Sequence, residues 1–311
     1  MLDTIGVKQI FRNRDYTKLL ENSNWFQRYQ KGKRKHYTYQ TPKGSKLPRL
    51  TFSQTFNNFW HLYAEVSLPS WAKGFNYPLS SLEELPDQLA ELTAFVNDKI
   101  AIGFDAERAR VQRVDFAEDI TLPPHIIAKA IASLNRSNPA KFDRLGFKNE
   151  TIYFNRKNQH IVVYNKTKQA ESVGHFNISQ ENLGVLRLEV RLASSRIKNI
   201  AKKLGLPDTS AHNIFQKIVA DKVIEEAKMT ICLEDALNDE PSIVKRLRSK
   251  FNGPELPTVL GWAVLLSEFG DTPSLAEYIG VNPRTQRRHV DRLKSMGIPP
   301  TSHEFDMTLM E

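Results

Sequence analysis

Three acidic residues stand in stretches that otherwise read as buried strand: Glu65 in HLYAEVSLP, Asp115 in VQRVDFAED and Glu189 in VLRLEVRL. A charge at an inward strand position is costly unless it is paired or bound to a metal. Singly, each has an ordinary explanation. Glu65 can face solvent, Asp115 can pair with Arg113, and Glu189 can pair with Arg187 or Arg191, its same-face neighbours two residues away. Together, three carboxylates on three strands could converge on one divalent ion, and their oxygens suit Mg²⁺ or Mn²⁺. Between Asp115 and Glu189 lies HIVVYNKTK, residues 160–168, in which a β-branched run ends in Tyr164 and Lys166 follows two places on. A tyrosine hydroxyl is a weak nucleophile at its free pKa of about 10. A polarised phosphate or a neighbouring cation would activate it. If the strand continues, Lys166 shares the face of Tyr164 and can stabilise a phenolate or a phosphorane. Acids, a cation and a hydroxyl so arranged suit phosphoryl transfer. Most strand tyrosines are packing residues, so the rest of the chain must argue this one out of that role.

The elements that would position these residues form an α+β pattern. Strands are expected at Thr4–Phe11, His36–Tyr39, Leu50–Phe56, Trp60–Ser67, Arg108–Glu118, Thr151–Phe154, His160–Asn165 and Leu186–Leu192, where residues alternate or run β-branched between turn signals. Leu82–Ile100 has helical periodicity behind SSLEEL, a Ser-x-x-Glu start signal. Further helices are expected over Pro124–Leu134 and from near Ser195 to the stop at Gly205-Leu206-Pro207. Without a repeating βα rhythm, the sheet should be largely antiparallel with flanking helices. After Pro207 the texture turns helical, broken by FNGPELP at 251–257. The simplest division is a catalytic domain over 1–206 and a smaller all-α domain over 207–311.

Charge narrows the partners. The chain of 311 residues carries 44 Lys+Arg against 35 Asp+Glu, a formal net charge of +9. The excess sits in the first two-thirds, and RYQKGKRKHYTYQTPKGSKLPRL, residues 28–50, contains no acid. There Lys31, Lys33, Arg34 and Lys35 interleave with Tyr29, Tyr37 and Tyr39. Cations for phosphates plus aromatics for bases is the composition of a single-strand nucleic-acid surface. A solubilising basic loop is the plainer explanation of such a run. The single cysteine, Cys232, rules out an internal disulfide framework and a cysteine-based zinc site, and fits a reducing cytoplasm. The first residues lack the pattern of a signal peptide, and no stretch of about eighteen apolar residues provides a membrane span.

The last segment, PSLAEYIGVNPRTQRRHVDRLKSMGIPP, reads as a helix-turn-helix over 274–297. Ala276 would sit where two helices cross, Gly280 would make the turn and Val281 would plug the core. The second helix would carry Arg284, Arg287, Arg288 and Arg292 toward a DNA groove. An ordinary helical hairpin with solvated arginines fits the same pattern.

On the islands AEVSLPSWAKGFN (64–76), VQRVDFAEDITLPPHIIAKAI (111–131), TIYFNRKNQHIVVYNKTKQ (151–169), VLRLEVRLASSRIKNIAKKLGL (185–206) and RTQRRHVDRLKSMGIPP (284–300), the sequence resembles the replication initiation proteins of filamentous phages, the gene II/X family. It is more distantly similar to the rolling-circle initiators of small staphylococcal plasmids. The resemblance implies a nickase that cuts one strand of a supercoiled circle at the origin and joins a tyrosine to the 5′-phosphate. It leaves a 3′-hydroxyl to prime rolling-circle synthesis and later closes the displaced single-stranded circle. The family's nucleophile falls on Tyr164, with Tyr153 as its rival. The family's acids fall on Asp115 and Glu189, with Glu65 as a third, and Lys166 follows the tyrosine. The implied cofactor is a divalent metal, Mg²⁺ or Mn²⁺. The implied partners are double-stranded origin DNA, single-stranded phage or plasmid DNA, and a bacterial host's helicase, polymerase and single-strand-binding protein. A homodimer is compatible with this. The eight histidines contain no His-hydrophobic-His pair of the kind many nickases use, so a carboxylate-dominated site is expected. Two other functions fit the same residues: a non-catalytic sequence-specific DNA-binding repressor, and a metal-dependent nuclease that uses water.

Overall fold

The computed structural model describes residues 1–12, 16, 20, 24–31, 34–55, 59–137, 139–148, 150–175, 183–237, 255–269, 275 and 279–295. Its strands are β1 (Leu2–Phe11), β2 (Trp25–Lys31), β3 (Arg34–Tyr39), β4 (Arg49–Gln54), β5 (Trp60–Ser67), β6 (Arg110–Leu122), β7 (Asp143–Phe147), β8 (Thr151–Arg156), β9 (Gln159–Asn165) and β10 (Gly184–Ala193). Its helices are α1 (Leu68–Lys73), α2 (Leu85–Lys99), α3 (Pro124–Leu134), α4 (Lys166–Glu171), α5 (Ser194–Lys203), α6 (Ala211–Ile214), α7 (Lys217–Ile231), α8 (Leu233–Leu237), α9 (Glu255–Phe269) and α10 (Pro283–Ser295). The strands hydrogen-bond in the order β2-β3-β4-β5-β1-β6-β10-β9-β8-β7. The ladders of β1 with β5 and β6, and those joining β2 to β3, β3 to β4, β4 to β5 and β7 to β8, are antiparallel. The expected mixed fold with a large antiparallel sheet is therefore present.

Two compact units interleave along the chain. The first takes Met1–Ile120, Lys157–Val162 and Arg187–Glu225, and the second takes Thr121–Arg156, Val163–Leu186 and the described residues from Glu226 onward. From residue 207 on the described elements are helices.

In the first unit, strand periodicity decides which side chains reach the site. On β5, Trp60, Leu62, Ala64 and Val66 are buried, while His61, Tyr63, Glu65 and Ser67 alternate with them on a half-exposed face. Trp60 stacks on Phe52 of β4 at 5.1 Å between ring centroids, and Tyr37 of β3 lies at 6.2 Å on the same core. Helix α2 buries Leu85, Leu89, Leu92 and Val96, spaced as one helical stripe. The SSLEEL signal closes reciprocally: Glu84 N–H donates to Ser81 Oγ at 3.1 Å and Ser81 N–H donates to Glu84 Oε2 at 2.9 Å.

In the second unit, α3 buries Ile127, Ala130, Ile131 and Leu134 and packs against α8. Helices α9 and α10 share a core of Val259, Trp262, Ala263, Leu266, Leu275, Val290 and Leu293. Gly280 turns the chain into α10 with φ +68°, a conformation that favours glycine. Among the described residues, no helix is long and apolar enough to cross a membrane.

Candidate functional site

The three acids of the sequence pattern meet two arginines in the first unit. Asp115 is buried and accepts from Arg113 Nε at 3.0 Å and Nη2 at 2.6 Å, the planar fork a guanidinium offers a carboxylate. The remaining Arg113 nitrogen, Nη1, donates to Glu65 Oε1 at 3.2 Å. Glu189, also buried, accepts from Arg191 Nε at 2.6 Å, and the same nitrogen lies 3.9 Å from Asp115 Oδ2. Tyr63 donates to Glu65 Oε2 at 2.5 Å. The spacing two residues apart on one strand had offered both the Arg113–Asp115 and Glu189–Arg191 pairs, and both form.

A glycine lets this cluster span three strands. Gly6 of β1 faces Glu65 of β5 on one side and Arg113 of β6 on the other. Glu65 and Arg113 reach each other across its missing side chain. A Cβ at Gly6 would collide with the Tyr63 hydroxyl oxygen and stand 2.9 Å from the ring carbon that bears it. No single-strand pattern in the sequence announces this glycine.

Burial and charge shape the titration of the cluster. Desolvation pushes the Asp115 carboxyl up to about 6, against the downward pull of Arg113, and neighbouring Glu189 adds to the rise. Burial, followed by the hydrogen bond to Glu65, drives the Tyr63 phenol far above its usual value, so it stays a neutral donor. His160 on β9 has its pKa lowered by burial and then by Arg191 and Arg113, which places it in the field of both guanidiniums. The third arginine of the strand motif departs from the sequence expectation. Arg187 is fully buried and pairs with Asp119, Nε to Oδ1 at 2.5 Å and Nη2 to Oδ2 at 2.8 Å. Its Nη1 donates to the backbone oxygen and Oδ1 of Asn76, at 3.1 and 2.8 Å. Asn76 in turn donates to the buried Asp3.

Tyr164 is the last residue but one of β9, lies in the second unit and is 6% exposed. The strand does not continue to Lys166, which corrects the expectation that both share a strand face. Asn165 is the N-cap of α4, and its Oδ1 accepts from Lys168 N–H at 3.0 Å. Lys166 opens that helix, is buried, and donates to Gln169 Oε1 at 2.9 Å. Tyr153, the rival, is half-buried on β8 opposite Leu145.

A family model described as the N-terminal region of a phage replication-associated protein matches residues 24–213. The chain belongs to this filamentous-phage replication initiator family. No curated protein sequence matches the chain. Among solved structures, the crystal structure of the di-domain ARO/CYC BexL is similar at 9% identity with a TM-score of 0.25, covering 66% of this chain and 74% of that one. A likeness that slight carries no argument. The family segment contains Glu65, Asp115, Tyr153, Tyr164, Lys166 and Glu189. Membership supports a role in replication initiation and in binding DNA.

The metal expected from the family resemblance is a test of the acid cluster. Hard carboxylate oxygens are the right donors for a divalent ion. Their geometry does not fit one as it stands, because guanidinium nitrogens engage Asp115, Glu65 and Glu189. Among the described residues, no group of three or more His, Cys, Asp or Glu side chains is placed to hold a metal ion.

The two expected DNA-binding regions fare differently. Within the basic run β2 pairs with β3, with Lys31 opposite Arg34 and Gln30 opposite Lys35, while Lys43 and Lys46 lie in the connection between β3 and β4. Lys33 and the side chains of Lys31 and Arg34 lie outside the described residues, and Lys35 is half-buried. Two of the three interleaved tyrosines are engaged in packing: Tyr37 is buried in the core and Tyr39 packs edge-on to Trp25 at 5.5 Å. Of the helix-turn-helix, Gly280 and α10 stand where expected, whereas Ala276 lies outside the described residues. Asn282 Oδ1 accepts from Arg284 N–H at 2.8 Å and starts the helix. Arg284, Arg287 and Arg288 are exposed, while Arg292 is tied to Glu255 at 2.9 Å.

Proposed function

We propose that this protein initiates rolling-circle replication by nicking and rejoining one strand of a circular phage or plasmid duplex through Tyr164. The observation that carries the reading is the family match over 24–213, which encloses the tyrosine, the acids and the arginines together. The Tyr164 oxygen attacks the scissile phosphorus and forms an O–P bond as the P–O3′ bond breaks. The phenol proton leaves, and the departing 3′ oxygen takes up a proton. The 5′-phosphate stays on the protein, so a later 3′-hydroxyl can reverse the step without ATP. Tyr164, on β9, is favoured over Tyr153 because the filamentous-phage pattern of the family resemblance places its nucleophile there and does not require Tyr153. Lys166, turned into α4, contributes its charge to the corner behind Tyr164 rather than a direct phosphate contact. A divalent ion, if the reaction uses one, has to draw Asp115 or Glu189 away from its arginine. The β2–β3 hairpin and α10 supply non-specific and duplex DNA contacts, and residues 207–311 form the DNA-reading domain.

The test is covalent capture. Labelled single-stranded origin DNA is incubated with protein in Mg²⁺, Mn²⁺ or chelator and run on a denaturing gel. Protein-linked 5′-DNA is the expected product, and its loss in chelator would establish metal dependence. Cleavage without linked protein would favour a water-using nuclease, and binding alone a repressor.

A further inference from the structure

We infer that Arg191 is a phosphate-binding residue for the nucleic-acid backbone, presented by the buried carboxylates and braced beside Arg113. Its meaning for catalysis rests on the nicking reading; its binding role does not.

The two guanidiniums of the cluster are used differently. All three nitrogens of Arg113 face carboxylates: Nε and Nη2 face Asp115, and Nη1 faces Glu65. Arg191 is held by Nε alone, at 2.6 Å from Glu189 Oε1. Among the described residues, neither of its terminal amino groups has a hydrogen-bond partner, and its side chain is 37% exposed. The carboxylates beneath it are 1% and 4% exposed at the side chain, so the pair's accessible side is the guanidinium. A guanidinium fixed through Nε and open at both Nη groups is a two-pronged donor that matches two oxygens of a phosphodiester. Fixing it beforehand removes most of the rotamer freedom that a surface arginine loses on binding. His160, in the field of Arg191 and Arg113, is kept toward its neutral form and so adds no competing charge. The anion is taken to be a backbone phosphate because residues 1–205 carry the chain's basic excess and the family acts on DNA.

Binding of a mixed-sequence single-stranded oligodeoxynucleotide, measured over a salt series, tests this without requiring cleavage. Each neutralised phosphate contact on a single strand contributes about 0.7 to the slope of log affinity against log salt. Arg191→Gln should lower the slope by about that amount. Arg108→Gln removes a charge whose side chain is 89% exposed and should leave the slope unchanged. An unchanged slope for Arg191→Gln, or an equal change for Arg108→Gln, overturns the assignment. Arg191→Lys keeps the charge over Glu189, so the fold is preserved and the salt slope stays. It loses the fork, and nicking should fall at least tenfold; nicking at the wild-type rate would overturn the fork. If wild type never nicks but Arg191→Gln still loses slope, the phosphate site stands and the nicking reading falls. If wild type nicks and the slope does not move, the reverse holds.

Discussion

Arginine occurs in two settings here, and the contrast separates pinned charge from diffuse charge. On the strands of the first unit, Arg187 is buried against Asp119 and Arg113 is forked onto Asp115. On α10, Arg284, Arg287 and Arg288 stand in solvent, while Arg292 has a carboxylate, on Glu255. A guanidinium whose nitrogens are all spent on carboxylates and carbonyls has one geometry and ties strands together. An exposed one keeps its rotamers and acts mainly through screened, long-range attraction. The first kind suits holding the fold and the second suits attraction to a polyanion.

The contrast breaks most visibly if stability ignores it. Arg187→Met leaves Asp119 without its fork and should cost about 3–5 kcal/mol, read as a lower denaturant midpoint. A similar loss for Arg287→Met would erase the distinction. Gly6→Val should cost about 1–3 kcal/mol, because the new side chain displaces Tyr63 and parts Glu65 from Arg113. Thermal melts of wild type and variant measure that cost, and an unchanged melt would mean that the close approach at Gly6 relaxes freely.

A smaller effect lies in the α9–α10 core. His289 stacks on Trp262 at 4.8 Å, and burial, then Arg288 and Arg292, lower its pKa. A depressed histidine contributes stability that is full above its unfolded value of about 6.5 and is lost as pH falls through the folded value. His289→Phe should flatten the drop in melting temperature between neutral and acidic pH; a variant that keeps the full drop would clear His289. The least effect on stability belongs to Arg287→Gln and Arg288→Gln, at under about 0.5 kcal/mol each. If α10 contacts duplex phosphates, each should still lower the duplex salt slope by about 0.9.

Much of this was legible because strand alternation and two-residue spacing are local. They identified β5, β6, β9 and β10 and offered Arg113 to Asp115 and either Arg187 or Arg191 to Glu189. What escaped depends on distant partners. Asp119 as the mate of Arg187, and Gly6 as the gap between Glu65 and Arg113, follow from register across several strands. Every residue of β7 is exposed, so it shows no buried stripe, and β2 breaks its aromatics with polar and basic residues, WFQRYQK. The expected strand ended at Asn165, as β9 does, and Asn165 is also a good N-cap for the helix that follows. Tyr37 shows the limit of composition: an aromatic among cations became core because β3 alternates.

The most direct test of the central claim is to identify the tyrosine joined to DNA. Wild type, Tyr164→Phe and Tyr153→Phe are reacted with labelled origin DNA, and the protein–DNA adduct is digested and mapped by mass spectrometry. Tyr164 as the nucleophile predicts an adduct on the peptide containing HIVVYNK, lost only in Tyr164→Phe. An adduct that persists in Tyr164→Phe and maps to TIYFNR would contradict the claim and make Tyr153 the nucleophile.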